Sequence, residues 1–411
     1  MTQKLKHPTV CLAALLGAPL LAQAQGFVED GKASLEMRNF YLNRDFRQEN
    51  APQSKAEEWA QGFIARYESG FTAGTIGVGL DAIAEQGIKL DSSRDRRGTG
   101  LLPFGQRNHQ PADSYSELGL TAKLRVSQST LRLGTLQPTL PVAFYNDTRL
   151  LPSTFSGGML TAQELKGLTL NAGRLTEVNL RDSSNRDDIG YGAATSDHFD
   201  FAGGTYAVTP NLALTYYYSE LQDIYRQQFV GLVHTLPLGE KLSLRTDLRY
   251  FDSDTDGRGK AGKIDNRNFN GMVSLAVGTH RFSATYQDLS GDSAFPFLNG
   301  GDPYVVNLST FNTFTRAELD SWQLRYDYDF APLGLPGLTF MTRYINGQHA
   351  QTKTTNDGRE WERDTDIAYV VQGGPLKGFN LRWRNVTFRS SNGLTTDLDE
   401  NRLILGYTFK I

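Results

Sequence analysis

The residues best placed to do chemistry in this chain are arginines two positions apart. In Phe379-Asn380-Leu381-Arg382-Trp383-Arg384, apolar side chains alternate with an amide and two guanidiniums. A period of two belongs to a β-strand, so Leu381 and Trp383 share one face while Arg382 and Arg384 share the other. A guanidinium stays charged at any physiological pH, and its planar fork matches a carboxylate. A row of them lining a passage attracts anions and hands them on without trapping them. The same parity places Arg402 on that face of the last strand, Arg343 within 339–345 and Arg325 within 322–326. On earlier strands it gives Arg38, Arg66, Lys123, Arg125 and Arg132. Pairing the last strand with the first would bring Arg38, Arg402, Arg382 and Arg384 onto one wall. Few carboxylates interrupt this stripe on the last two strands, and many acids fall in loops. The competing account is a lumen balanced by acids such as Glu36, Glu117 and Asp327.

Other chemistry finds little support. The histidines His109, His198, His234, His280 and His349 have no metal-ligand spacing and no Ser/His/acid arrangement, so neither an enzyme nor a metal site is expected. Asp252-Ser253-Asp254-Thr255-Asp256-Gly257 resembles the opening of a calcium loop. Its twelfth position is Lys263, where a bidentate glutamate belongs. There is no Gly-rich phosphate loop, and no cofactor is called for. A net charge of −3 gives no basic excess for nucleic acid.

Something must hold these arginines in line. Strand-like segments run from about Lys32 to Ile411, joined alternately by a tight turn and a long polar loop. That rhythm belongs to an outer-membrane barrel, with short turns in the periplasm and longer loops outside. The expectation is an all-β chain, a transmembrane antiparallel β-barrel of about 18 strands; 16 would also fit. No apolar run after the N-terminus reaches the roughly 18 residues of a membrane helix. Aromatics such as Tyr216-Tyr217-Tyr218, Tyr326, Tyr328 and Tyr407 cluster near strand ends, where girdles sit. The last strand alternates Leu403, Leu405, Tyr407, Phe409 and Ile411 outward.

Residues 1–24 read as a signal peptide: Lys4 and Lys6, a short apolar stretch from Cys11 to Ala22, then Ala22-Gln23-Ala24. The barrel domain is then 25–411, without a thiol, since Cys11 is the one cysteine. Two loops are long enough to fold inward as a constriction. The loop 138–158 offers Tyr145, Asp147, Arg149 and Ser156, and the loop 291–316 offers Phe297, Asp302 and Tyr304. Their polar groups would face the arginine wall. Proline stiffens both.

With these residues in view, the chain resembles the OprD family of substrate-specific outer-membrane porins, with features of an OprE-like branch. The resemblance rests on Gly26–Lys32 with Arg38-Asn39-Phe40-Tyr41, on Glu58–Phe63, Gly98–Pro103, Leu118–Lys123 and Arg249–Asp254, and above all on the block from Tyr145 to Gly158. It implies an 18-stranded barrel, third and seventh loops folded inward, and a basic ladder matched at Arg382, Arg384 and Arg402. It matches the third-loop pair at Asp147 and Arg149. It also implies passive uptake of small nutrients, divided by branch between carboxylates and basic amino acids; the basic wall leans towards carboxylates. The implied partners are outer-membrane lipid and lipopolysaccharide and the solutes themselves, with the protein a monomer or weak trimer. The alternative is a barrel receptor or adhesin whose long loops bind a partner.

Overall fold

Alternation along the chain becomes a closed antiparallel sheet. The computed structural model describes residues 25–49, 51–391 and 394–411; the segment 1–24 read as a signal peptide lies outside them. Eighteen strands form the wall. They are β1 (Lys32–Phe46), β2 (Lys55–Glu68), β3 (Ile76–Asp91), β4 (Ser114–Val126), β5 (Ser129–Leu136), β6 (Thr154–Ala162), β7 (Leu168–Asn179), β8 (Phe199–Thr209) and β9 (Leu212–Leu221). The rest are β10 (Tyr225–Gly239), β11 (Leu242–Thr255), β12 (Asp265–Val277), β13 (His280–Ser290), β14 (Asp320–Asp329), β15 (Leu338–Ala350), β16 (Gly358–Val370), β17 (Asn380–Ser390) and β18 (Leu398–Lys410). Each pairs with its neighbour. The cylinder closes where β1 meets β18, from Ser34 opposite Lys410 to Phe46 opposite Leu398. Closure leaves no edge, the condition for a sheet to sit in lipid.

One rim carries short turns, such as 127–128, 210–211 and 278–279. The other carries the long loops, including a third (L3, 137–153) and a seventh (L7, 291–319). The outer face is apolar: Leu80, Leu120, Val230, Val273, Phe282 and Leu324 stand exposed in alternation with lumen residues. The short helix Gln25–Glu29 rests on the turn after β2, where Phe27 O accepts the Gly70 N–H.

Two expectations need correcting. Ser156 is not in the constriction loop but in the wall strand β6, opposite Thr135. L3 ends sooner because the strand forms as soon as Thr154 can pair with Asn179. The supposed acidic loop begins inside β11. Asp252 and Asp254 alternate with the buried Phe251 and Ser253, so they point outward and face Arg267 and Arg226 on the neighbouring strands.

The inward positions of the wall are not all polar. Phe199, Phe201, Phe229, Phe251 and Leu289 point inward and pack with Val142, Ala143, Phe295 and Leu298 of L3 and L7. The inward loops bring their own apolar core, so the wall behind them must be apolar too. Each such side chain fully buried contributes about 1.5–3 kcal/mol. The loops therefore fill one side of the barrel, and a polar passage remains on the other.

Candidate functional site

The passage is built from inward positions of β12 to β18. A cavity of about 650 Å³ lies between this wall and the tips of L3 and L7. Arg281, Arg325, Arg343, Arg382, Arg384 and Arg402 line it, facing Thr148 of L3 and Leu308–Thr310 of L7. Cross-strand register explains the grouping: Arg384 lies opposite Arg402, and Arg325 opposite Arg343. A second cavity of about 460 Å³ adjoins it, sharing Arg281, Arg325 and Arg343 and adding Arg245.

The stripe is less bare than its spacing implies. Asp366 on β16 accepts from Arg382 Nε at 3.0 Å and from Arg384 Nε at 2.5 Å. Arg325 is chelated by Asp327 at 2.6 and 2.8 Å. Arg402 is almost fully buried, with Nε on Glu400 at 2.5 Å, and Glu400 also takes Arg44 at 2.6 and 2.8 Å. Acids therefore do interrupt the wall, chiefly from β16, whose Glu360, Glu362, Asp364 and Asp366 all point inward. Arg281, which the sequence reading passed over, has no hydrogen-bond or ion-pair partner among the described residues. It alternates with Phe282 and Ala284 as the others alternate with their apolar neighbours, so the same parity would have found it.

The remaining arginines are spread out. Arg38 is a clasp for L3: its Nη1 donates to Asp147 Oδ1 and to the Arg149 carbonyl, both at 2.7 Å, and its Nη2 to Glu36 at 2.6 Å. Arg66 shares Glu36 at 3.3 Å. Arg66 and Arg132 line a separate cavity of about 370 Å³ with Tyr145, against the opposite wall. Lys123 is bound to Asp81 and the Ser69 carbonyl. Arg125 stands over the Phe71 ring at 4.2 Å, beside the short turn.

The loop residues divide likewise. Arg149 does not face the passage. It is buried, with Nε on the Thr99 carbonyl at 3.0 Å and Nη1 on the Thr148 carbonyl at 2.9 Å, bracing L3 against the second long loop. Burial, with Arg402 and Arg181 nearby, presses its proton affinity down. Asp302 joins L7 to L3, accepting from Asn146 Nδ2 at 2.6 Å. Burial pushes its carboxyl up to about 6, against the pull of Arg181, Arg149 and that bond. Phe297 and Tyr304 pack into the apolar core and do not line the cavity beside the arginine wall. Tyr304 lies under the Arg249 guanidinium at 3.9 Å and near Phe144. Ser153 ties the two loops: its Oγ donates to the Gly300 carbonyl at 2.6 Å and accepts the Asn146 N–H at 2.8 Å.

The comparisons with known proteins agree with this architecture. The family model described as outer membrane porin, OprD family, matches residues 25–411. The porin-like protein GalP of Pseudomonas putida is 40% identical over 409 residues, covering 98% of this chain and 97% of that protein. The crystal structure of Pseudomonas aeruginosa OccK9 (OpdG) superposes with a TM-score of 0.92 at 46% identity, over 94% of this chain and 100% of its own. That of Pseudomonas aeruginosa OpdK with vanillate superposes with a TM-score of 0.89 at 40% identity, over 94% and 100%.

Proposed function

Because this chain belongs to the OprD family of outer-membrane porins, we propose that it passes small carboxylate-bearing solutes by passive diffusion, guided by the arginine wall. The observation that carries this reading is the cavity between L3, L7 and six arginines. Asp366 is the one carboxylate among the residues lining it that bonds the pair Arg382 and Arg384. Two guanidiniums against one carboxylate leave positive charge facing the passage, and Arg281 adds another. A solute carboxylate arriving past Thr148 meets Arg384 and Arg382 in turn. Each offers a charge-assisted bond weakened by Asp366, so the anion is drawn in and released. A similar porin crystallised with vanillate, an aromatic carboxylate, supports the substrate class. Residues 1–24 are proposed as the export signal, cleaved near Gln25.

The test is planar-bilayer conductance of the purified protein in a salt gradient, with a panel of carboxylates and basic amino acids added to one side. The expected result is a reversal potential of the sign for anions and block by carboxylates. In the variant R382A/R384A the anion-to-cation permeability ratio should fall about threefold or more, with the barrel still folded. Unchanged carboxylate flux in that variant would remove the ladder from the mechanism. Block by basic amino acids alone would assign the channel to them.

A further inference from the structure

L7 crosses a barrel interior, and something must hold it there. Its turn Ser309–Asn312 presents three consecutive backbone N–H groups to the wall, and two carboxylates of β16 receive them. Glu362 uses both oxygens: Oε1 accepts the Phe311 N–H and Oε2 the Asn312 N–H, each at 2.9 Å. Asp364 uses one oxygen. Its Oδ2 accepts the Thr310 N–H at 3.3 Å, the Thr310 hydroxyl at 2.8 Å and Arg343 Nε at 2.7 Å, while Oδ1 is buried without a partner. Arginines take the carbonyls of the same turn. Arg343 Nη1 donates to Leu308 O at 3.0 Å and Arg402 Nη2 to Thr310 O at 2.7 Å. Leu308, Ser309 and Thr310 line the main cavity, so the position of this turn sets the width of the passage.

We propose that Glu362 is the positioning residue that latches L7 across the passage, and that Arg343 and Arg402 serve as the other half of the latch as well as rungs of the wall. This rests on the channel reading above. Glu362 is buried on the wall and lines no part of the cavity. Its effect on permeation therefore runs through L7. A carboxylate is an acceptor at both oxygens, and two N–H groups side by side need that. A glutamine offers one acceptor and one donor, and its NH2 would face an N–H. At Asp364 an asparagine can put its one oxygen where Oδ2 stands and its NH2 where Oδ1 has no partner. The two amide substitutions should therefore differ.

The experiment compares single-channel traces of the full-length protein and of E362Q, D364N and E362D in a planar bilayer. Folding is checked for each by heat-modifiable migration in detergent. E362Q should multiply the time spent in larger, fluctuating conductance states about tenfold and move the reversal potential toward zero. D364N should keep the conductance pattern of the wild type and shift the reversal potential toward anions, since Arg343 loses its counter-charge. E362D keeps the carboxyl group but falls short of the two N–H groups, so it should fluctuate as E362Q does. It answers the question should E362Q fail to fold. A conducting wild type beside a folded E362Q or E362D with unchanged traces would overturn the latch and leave the porin reading standing. Equal loosening by D364N and E362Q would overturn the assignment to the paired oxygens of Glu362.

Discussion

At the scale of single residues, the passage is tuned by which charges are spent and which are free. Arg382, Arg384 and Arg325 are partly spent on Asp366 and Asp327, and Arg281 has no such partner among the described residues. Asp302 is a loop acid whose state changes near neutrality. Its folded value of about 6 stands above the roughly 3.9 of an unfolded aspartate. The protonated form is therefore favoured by folding. Its contribution to stability is fully present below about pH 4 and is lost as pH rises through 6. In function, lowering pH from 7 to 5 removes one negative charge beside L3. The anion preference should rise over that interval, read as a shift in reversal potential. The variant D302N should lack the step, and persistence of the step in D302N would assign it to another group.

At the scale of elements, β5 and β6 carry a glycine opposite a glycine just before the third loop leaves the wall. Gly134 and Gly157 are paired, with φ of +130° and +159°. A Cβ on Gly134 would meet the Leu120 carbonyl oxygen at 2.1 Å. The contact is with backbone, so only a shift of the strands and not a change of rotamer could relieve it. G134A should cost roughly 1–3 kcal/mol for the strained backbone alone, seen as a lower temperature for the heat-modifiable transition. A transition at the wild-type temperature would mean that the barrel tolerates a shift of β5.

At the scale of the whole molecule, the barrel is asymmetric. Inward loops and the apolar faces of β8 to β11 pack one side, and the charged passage runs along β12 to β18. Anions thus meet the six-arginine wall along β13 to β18, and the reach of its field is set by the Debye length. That length is about 10 Å at 0.1 M salt and about 3 Å at 1 M. Selectivity from the wall's field should weaken steeply between those concentrations, whereas selectivity from a steric eyelet should not. Reversal potentials measured at a fixed salt ratio at both ends of that range separate the two. An anion preference independent of ionic strength would point to size or direct contact.

The wall of the barrel is legible in the amino-acid sequence. A period of two assigns a face to every residue of a strand, so the apolar outer surface and the inward Arg382, Arg384, Arg343 and Arg325 could be read directly. Alternating turn and loop lengths fixed the barrel and its two ends, and the Tyr145–Gly158 block pointed to the family. What each charge is used for emerges from the folded contacts alone. Whether an inward arginine is free, as at Arg281, or spent on a loop, as at Arg38, depends on contacts with residues a hundred or more positions away, such as Asp147. No local period encodes those contacts. Likewise, alternation says that Phe251 and Phe229 point inward, but only the folded loops explain why an apolar side chain belongs there. Arg149 turns away from the passage for the same reason, since a loop's direction is set by what it packs on, whereas Ser156 belongs to the wall because β6 begins where Thr154 pairs with Asn179.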